Sequence, residues 1–295
     1  DGLRPNGREI YFRVGERKLN AWQTVVAYCD SITDLNYSLS PNYADNFSVF
    51  NESSGENIFT IPMDKNLYTN QMQYLFRSRH YNHAKAYGLG GENGSCATIE
   101  TLRVFAYGTD SVDTRFYENY YADTMFDLNG DTIRLDNGTP LVYLPLEVRL
   151  DLSRLPAEKT AGARMMFNEI DEMGTKDGKL SDNDIVLFRY ADVLLMRSEA
   201  KVRNGENGDE ELNAVRFRVG MLPRKATLEN ILAERQLELA WEGWRRQDLV
   251  RFGKFTRPYT DRPQLPHESN GYTTVFPIPD KVRSLNPNLT QNPGY

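Results

Sequence analysis

The run LENILAERQLELAWEGWRRQDLVRF, Leu228 to Phe252, places charges and aromatics at spacings that a solvated surface helix does not need. Glu234, Glu238 and Glu242 stand four residues apart on one helical face, where carboxylates repel unless cations are brought to them. Arg245 and Arg246 follow Glu242 in the favourable order for a helical ion pair, and Arg235 and more distant arginines, Arg189 among them, remain for Glu234 and Glu238. Ala233, Leu237, Ala240, Trp241 and Trp244 supply an apolar stripe along the same run. The pattern predicts a helix packed on one side and acidic on another. Networks of buried arginine and carboxylate hold folds together more often than they catalyse, so the ridge reads as architecture.

Four ordered segments then carry a resemblance. ERQLELAWEGWRRQDLVRFGKF (Glu234 to Phe255) resembles the ERRxELAFEGxRxxDLxRW signature of the SusD/RagB family, glycan-binding outer-membrane lipoproteins of Bacteroidetes. FRYADVLLMRSEA (Phe188 to Ala200) is similar to that family's LRYADVLLMYAEA helix, and LNAVRFRVGM (Leu212 to Met221) to its LNAVRxRAGL helix. FPIPDKVRSLNPNLTQNPGY (Phe276 to Tyr295) resembles its closing FPIPxxExxxNPxLxQNPGY. Weaker likeness extends through Ser38 to Asp64 and Val112 to Phe116.

The resemblance implies a mostly α fold: tetratricopeptide-like helical hairpins with an irregular, loop-rich subdomain containing small β-hairpins. It divides the chain into a helical repeat portion over 1–70, a loop-rich and hairpin subdomain with a candidate ligand face over 71–180, and a closing helical repeat over 181–295. It also implies a lipid-anchored protein on the extracellular face of the outer membrane, capturing glycan for a TonB-dependent SusC-like transporter without catalysis. Family chains begin with a lipoprotein signal and a lipidated cysteine, so an N-terminal portion is expected ahead of these residues. Peptide or glycopeptide capture of the RagB kind is the alternative within the family, and a glycoside hydrolase is the competing class. A third class is a purely structural assembly module using the helix pairs as a docking surface.

Composition agrees. With 295 residues and 40% hydrophobic content the chain can bury a core of its own. Its 35 Lys and Arg against 41 Asp and Glu give a net charge of -6, which weighs against nucleic acid as partner. No apolar run approaches the ~20 residues that span a bilayer, and DGLRPNGREI lacks the pattern of a signal peptide. No HExxH, GxSxG, P-loop or Cys-His metal pattern occurs, so no catalytic frame, metal or cofactor is expected. A hydrolase would need two carboxylates held about 5–9 Å apart, and no acidic pair stands in such a frame.

Leu19, Trp22, Val26 and Cys29 predict a helix over Glu16 to Ile32, with Cys29 a small buried hydrophobe rather than half of a disulfide with Cys96. Leu187, Ala191, Leu194, Leu195, Ser198 and Val202 predict another, ended by a left-handed cap at Asn204-Gly205, before a partner helix through Leu212, Val215 and Val219. Asn129-Gly130 and Asn137-Gly138 predict a meander around Thr124 to Leu144. Asp127, Asn129 and Asp131 imitate a calcium loop, but its twelfth position is Gly138 rather than Glu, which favours a plain turn. The acidic run Asp171, Glu172, Asp177, Asp182 and Asp184 reads as solvated loop charge, and Phe116, Tyr117, Tyr120 and Tyr121 as a strand with a packed face. Trp22, Trp241 and Trp244 lie on helix stripes and are expected in the core.

Holding a sugar asks for flat aromatic faces against pyranose C–H surfaces and for amide, arginine or acid side chains toward the hydroxyls. The richest stretch is YLFRSRHYNHAKAYGLGGENGSCAT, Tyr74 to Thr98, and its candidate ligand-binding residues are Tyr74, Arg77, His80, Tyr81, His83, Tyr87 and Asn93. The glycine-rich turn after them lets backbone approach a ligand. The family's Gly-Trp-Asn-Gly-like turn is GENG here, with Glu92 in place of the tryptophan.

Overall fold

The computed structural model describes residues 9–67, 78–149, 159–176, 178–259 and 262–295. Its contacts divide the chain into two units, Asp1–Glu242 and Gly243–Tyr295. The first opens with a hairpin of β1 (Tyr11–Val14) and β2 (Arg17–Asn20). The helix expected from Glu16 therefore starts later. Asn20 accepts from the Gln23 N–H while the Gln23 side chain accepts from the Asn20 N–H, and this reciprocal cap fixes the first turn of α1 (Ala21–Thr33). Cys29 is buried against Tyr190 and Val193, and both it and Cys96 are free thiols.

The chain then runs through 3-10 turns at Tyr43–Phe47 and Asn51–Ser53 into β3 (Asn57–Ile61). The next elements are short: α2 (Tyr81–Ala86), α3 (Ile99–Val104), α4 (Phe116–Asn119), β4 (Tyr120–Tyr121), β5 (Asp123–Thr124), β6 (Val142–Tyr143) and β7 (Arg164–Met165). The expected strand through Phe116 is instead a helical turn leading into β4, whose partner is β7. β5 pairs with β6, and bonds such as Ile133 N to Met125 O and Leu141 N to Ile133 O complete the meander around the two Asn-Gly turns. At the first turn Asp127 Oδ1 accepts from the N–H groups of both Asn129 and Asp131, closing the turn. Farther on, Lys65 draws Asp171 and Asp182 together at 3.3 and 2.5 Å, so this acidic run is partly ion-paired rather than simply solvated; Asp177 lies outside the described residues.

β8 (Ile185–Arg189) returns to pair antiparallel with β3 and runs straight into α5 (Tyr190–Arg203). Leu187 thus belongs to a strand, and α5 begins three residues after it. The helix stops at Asn204, with Gly205 left-handed at φ 78°. α6 (Asp209–Arg218) and α7 (Leu228–Glu238) follow, and α5 packs against α1, α6 and α7 in turn. The fold is rich in helices, arranged as hairpins of the tetratricopeptide kind, with only short strands. The expected continuous helix over Leu228 to Phe252 is broken, because Trp241 and Gly243 adopt left-handed φ of 65° and 84°. Trp22, Trp241 and Trp244 are half-buried rather than enclosed.

The second unit carries α8 (Arg245–Arg251) and α9 (Asp280–Leu285). In it the Arg246 guanidinium lies over the rings of Phe255 and Phe276, 5.0 and 4.4 Å from their centroids, and donates to the Thr273 and Thr274 carbonyls.

The α5–α6 hairpin closes through Gly208, whose carbonyl accepts from Ser198 Oγ at 2.8 Å. A Cβ there would stand 2.6 Å from the Ser198 carbonyl oxygen. Gly208→Ala is expected to cost about 1–3 kcal/mol by overpacking, read as a lower urea midpoint with an unchanged slope.

Candidate functional site

The acidic ridge does not face water. Glu234 and Glu238 are fully buried, and each meets guanidinium groups brought from distant parts of the chain. Arg115 donates to Glu234 Oε1 at 2.7 Å, to Glu238 Oε2 at 2.6 Å and, through Nε and Nη2, to both oxygens of Asp113. Arg216 closes Glu234 Oε2 at 2.5 Å, and Arg218 reaches Glu238 and Glu56. Arg189, at the junction of β8 and α5, bonds Glu56 at 2.8 Å, Glu238 Oε1 at 2.5 Å and Glu242 at 2.7 Å. It also donates to the Glu238 carbonyl, as does the Tyr43 hydroxyl, so a cation satisfies the last turn of α7. The rings of Tyr43 and Phe47 lie beneath it, 5.7 and 5.6 Å from its guanidinium carbon.

This corrects the sequence-based pairing. Glu242 lies beyond the end of α7, and its carboxylate is held by Arg189. Arg246 is engaged with carbonyls and phenyl rings of the second unit, Arg245 lies beside Asp248, and Arg235 bonds Asp192 at 2.6 Å. Glu56, Asp113, Arg115, Arg216 and Arg218 escaped the reading because no local spacing links them to α7. Their one trace was the weaker likeness over Ser38 to Asp64 and Val112 to Phe116, together with the LNAVRFRVGM segment.

Electrostatics follow from arginine count. Glu238 faces Arg218, Arg189 and Arg115, and although burial opposes ionisation its carboxyl is held down at about 2. Among the described residues Glu242 is ion-paired with Arg189 alone, and burial, with Glu238 and Asp192 nearby, pushes it up to about 7. Among the described residues of this cluster five carboxylates, Glu56, Asp113, Glu234, Glu238 and Glu242, meet four guanidiniums, those of Arg115, Arg189, Arg216 and Arg218. The charges balance when Glu242 holds a proton.

The candidate ligand residues are dispersed. Tyr74 and Arg77 lie outside the described residues. His83 is enclosed among the rings of Tyr87, Tyr121 and Tyr143, and burial near Arg79 pushes it down to about 3. The Tyr143 hydroxyl accepts from the His80 N–H at 2.7 Å, so its proton is directed to His83 Nδ1 at 3.0 Å. His83 therefore supports the face from within instead of touching a ligand; Ala84 beside it is equally buried, and α2 turns that side to the core. His80 is buried too, its Nδ1 capping α2 at the Asn82 N–H, and burial near Lys159 lowers its basicity. Tyr87 donates to the Phe126 carbonyl at 2.8 Å, and Asn93 to the Lys159 carbonyl at 3.0 Å. Tyr81 differs: the residue is 60% exposed, and one edge of its ring lies against the Gly91 backbone, where a Cβ would come 2.9 Å from Tyr81 Cδ1. Beside it Asn82 reaches across to Asp136 and the Arg134 carbonyl of the meander, tying α2 to that hairpin.

Residues 150–295 match the family model described as SusD family. This half of the chain belongs to the SusD family. The starch-binding protein SusD of Bacteroides thetaiotaomicron is 36% identical over 121 residues, covering 39% of this chain and 22% of that protein. SusD-like protein P38 of Formosa agariphila is 34% identical over 135 residues, 39% of this chain and 25% of that protein. The match thus spans a quarter or less of these curated relatives. Among solved structures, surface glycan-binding protein A from Bacteroides thetaiotaomicron aligns with TM-score 0.66 and 23% identity, over 93% of this chain and 59% of its own. The same protein in complex with laminarihexaose gives 0.63 and 22%, over 92% and 59%. A SusD superfamily protein from Parabacteroides distasonis gives 0.68 and 20%, over 93% and 57%. These likenesses show a SusD-like fold. The SusD-family sequence supplies Arg189, Arg216, Arg218 and all three ridge glutamates, whereas Glu56, Asp113 and Arg115 come from the preceding half.

Two outcomes follow from the charge cluster. Arg189→Met leaves three buried carboxylates short of a partner and is expected to cost at least about 3–5 kcal/mol of stability, measured by denaturant unfolding. Glu242 is raised in the fold from an ordinary 4.5 to about 7, so folding takes up a proton and stability falls as pH rises between those values, by about 3 kcal/mol. Glu238, depressed to about 2, works the other way: its contribution is lost as pH falls below 4.5. Glu242→Gln should flatten the decline between 4.5 and 7 in thermal melts and leave the acid limb unchanged.

Proposed function

We propose that this chain belongs to a cell-surface glycan-binding protein that captures oligosaccharide or polysaccharide without cleaving it. In this reading the protein is held at the outer membrane by a lipid anchor and delivers its ligand to a TonB-dependent SusC-like transporter. The observation that carries the reading is the placement of Tyr81. Within the aromatic stretch His80 and His83 pack inward, His83 against Tyr121 and Tyr143, while Tyr81 is held out on α2 between the Gly91 backbone and the Asn82–Asp136 bridge. An exposed ring on a rigid support is what stacking against a pyranose requires, with the Asn82 and Asp136 side chains beside it for hydroxyls. The names of the starch-binding relative SusD and of the structurally similar surface glycan-binding protein A, solved with laminarihexaose, support glycan as the ligand class. The absence of cleavage is supported by the state of the acidic ridge, whose glutamates are bonded to arginine inside the core.

The test is titration calorimetry against malto-oligosaccharides and laminarihexaose, with product analysis on the same mixtures. Saturable heat without new reducing ends is expected, and Tyr81→Ala should weaken binding about tenfold with an unchanged melting temperature. Undiminished affinity in Tyr81→Ala would remove Tyr81 from the site, and released reducing ends would overturn the non-catalytic reading.

A further inference from the structure

Arg79 contrasts with the arginines of the charge cluster. Arg115, Arg189, Arg216 and Arg235 are buried and each bonds a carboxylate, whereas Arg79, at 5% exposure, has no ion pair among the described residues. Its side chain bonds the Tyr121 hydroxyl through Nε at 3.2 Å, with the guanidinium carbon 5.5 Å from the centroid of that ring. Nη1 and Nη2 have no hydrogen-bond partner among the described residues, and neither is sealed from solvent. We propose that Arg79 and the Tyr121 hydroxyl bind a carboxylate, that of a sugar acid such as a uronate.

The energetics favour an anion brought from outside. Enclosing a guanidinium without a counter-charge costs more than the ring beneath it returns. The acids of the neighbourhood do not make up the difference. Glu92 accepts the Arg79 N–H at 2.8 Å through its carbonyl, and Asp127 Oδ1 is held by the N–H groups of Asn129 and Asp131. Neither carboxylate pairs with Arg79.

The guanidinium is also held in place. The Ser78 N–H bonds the Met165 carbonyl at 3.3 Å, the Arg79 N–H bonds Glu92, and the His80 N–H bonds the Tyr143 hydroxyl at 2.7 Å, so three successive residues are fixed to three other segments. Arg79 lies close enough to His83 and Tyr87, at the middle and end of α2, for its charge to bias both.

The donors select the ligand. Two terminal nitrogens of a planar guanidinium match the two oxygens of a carboxylate, a geometry that an uncharged hydroxyl cannot repay in full. Because the Tyr121 hydroxyl already accepts from Nε, its own proton is left to donate, and no acceptor takes it among the described residues. The ligand class thereby narrows from glycan in general to glycan that carries acidic residues. The anion site stands on this geometry alone, and only the choice of a sugar as carrier rests on the glycan reading.

Thermal melts of the intact chain with sodium glucuronate, glucose or sodium acetate test it. Glucuronate is expected to raise the melting temperature saturably, with glucose giving no shift and acetate a smaller one. Arg79→Met should melt at or above the wild-type temperature, since an unpaired charge leaves the interior, and should lose the glucuronate shift. Tyr121→Phe keeps the ring and should raise the half-saturating glucuronate concentration about tenfold. No glucuronate shift in the wild type, a full shift in Arg79→Met, an equal shift from acetate, or an Arg79→Met variant that melts well below wild type would each overturn the proposal. A glucuronate shift that depends on Arg79, with no response to the neutral oligosaccharides above, would count against the neutral-glycan reading and leave this site standing.

Discussion

Arg189 joins three glutamates and a helix terminus at one point, and the rest of the first unit is arranged so that this contact can exist in the dry interior. Moving a guanidinium or a carboxylate out of water costs several kcal/mol per group. The cost is offset here by bonds to several partners at once: Arg189 meets Glu56, Glu238, Glu242 and the Glu238 carbonyl, and Arg115 meets Asp113, Glu234 and Glu238. Those partners come from the loop before β3, the turn before α4, the end of α7 and the residues beyond it. A planar five-donor fork is the side chain that can satisfy such an arrangement, which is why arginine and not lysine occupies each cationic position.

Apolar packing and charge divide the labour around α7. Leu237 and Ala240 enter a cluster with Leu102, Phe105, Phe116 and Tyr120, and this supplies burial without direction. The guanidinium bonds supply direction, since each works at one distance and angle. Together they fix the helical hairpins against the loop-rich segment, leaving short loops and α2 to carry exposed side chains. The exposed Tyr81 lies on that support, at the start of α2.

Much of this was legible in the residues. The row of glutamates in α7 demanded cations, the Asn-Gly pairs marked the meander, and the periodicity of α5 and α6 marked a hairpin capped at Gly205. What misled was local spacing. Arg246 stands four residues after Glu242, yet the left-handed Trp241 and Gly243 break the helix between α7 and α8, and Glu242 turns to Arg189 instead. The periodicity through Leu19 similarly overran its helix, because the Asn20 cap places the start at Ala21. Burial was the other illegible quantity. A tyrosine- and histidine-rich stretch has one composition whether it faces sugar or core, and only the packing of His83 against Tyr121 and Tyr143 separates its inward side from Tyr81.

The central claim is that the ridge carboxylates are locked to arginines as scaffold, and a double-mutant cycle on Arg115 and Glu234 tests it most directly. Both side chains are fully buried and 2.7 Å apart. The account predicts that Arg115→Met and Glu234→Met each destabilise the fold severely, and that the double variant loses less than the sum by about 2 kcal/mol or more. Small, additive losses would contradict it, because they would mean that the two charges stand in water and do not hold one another.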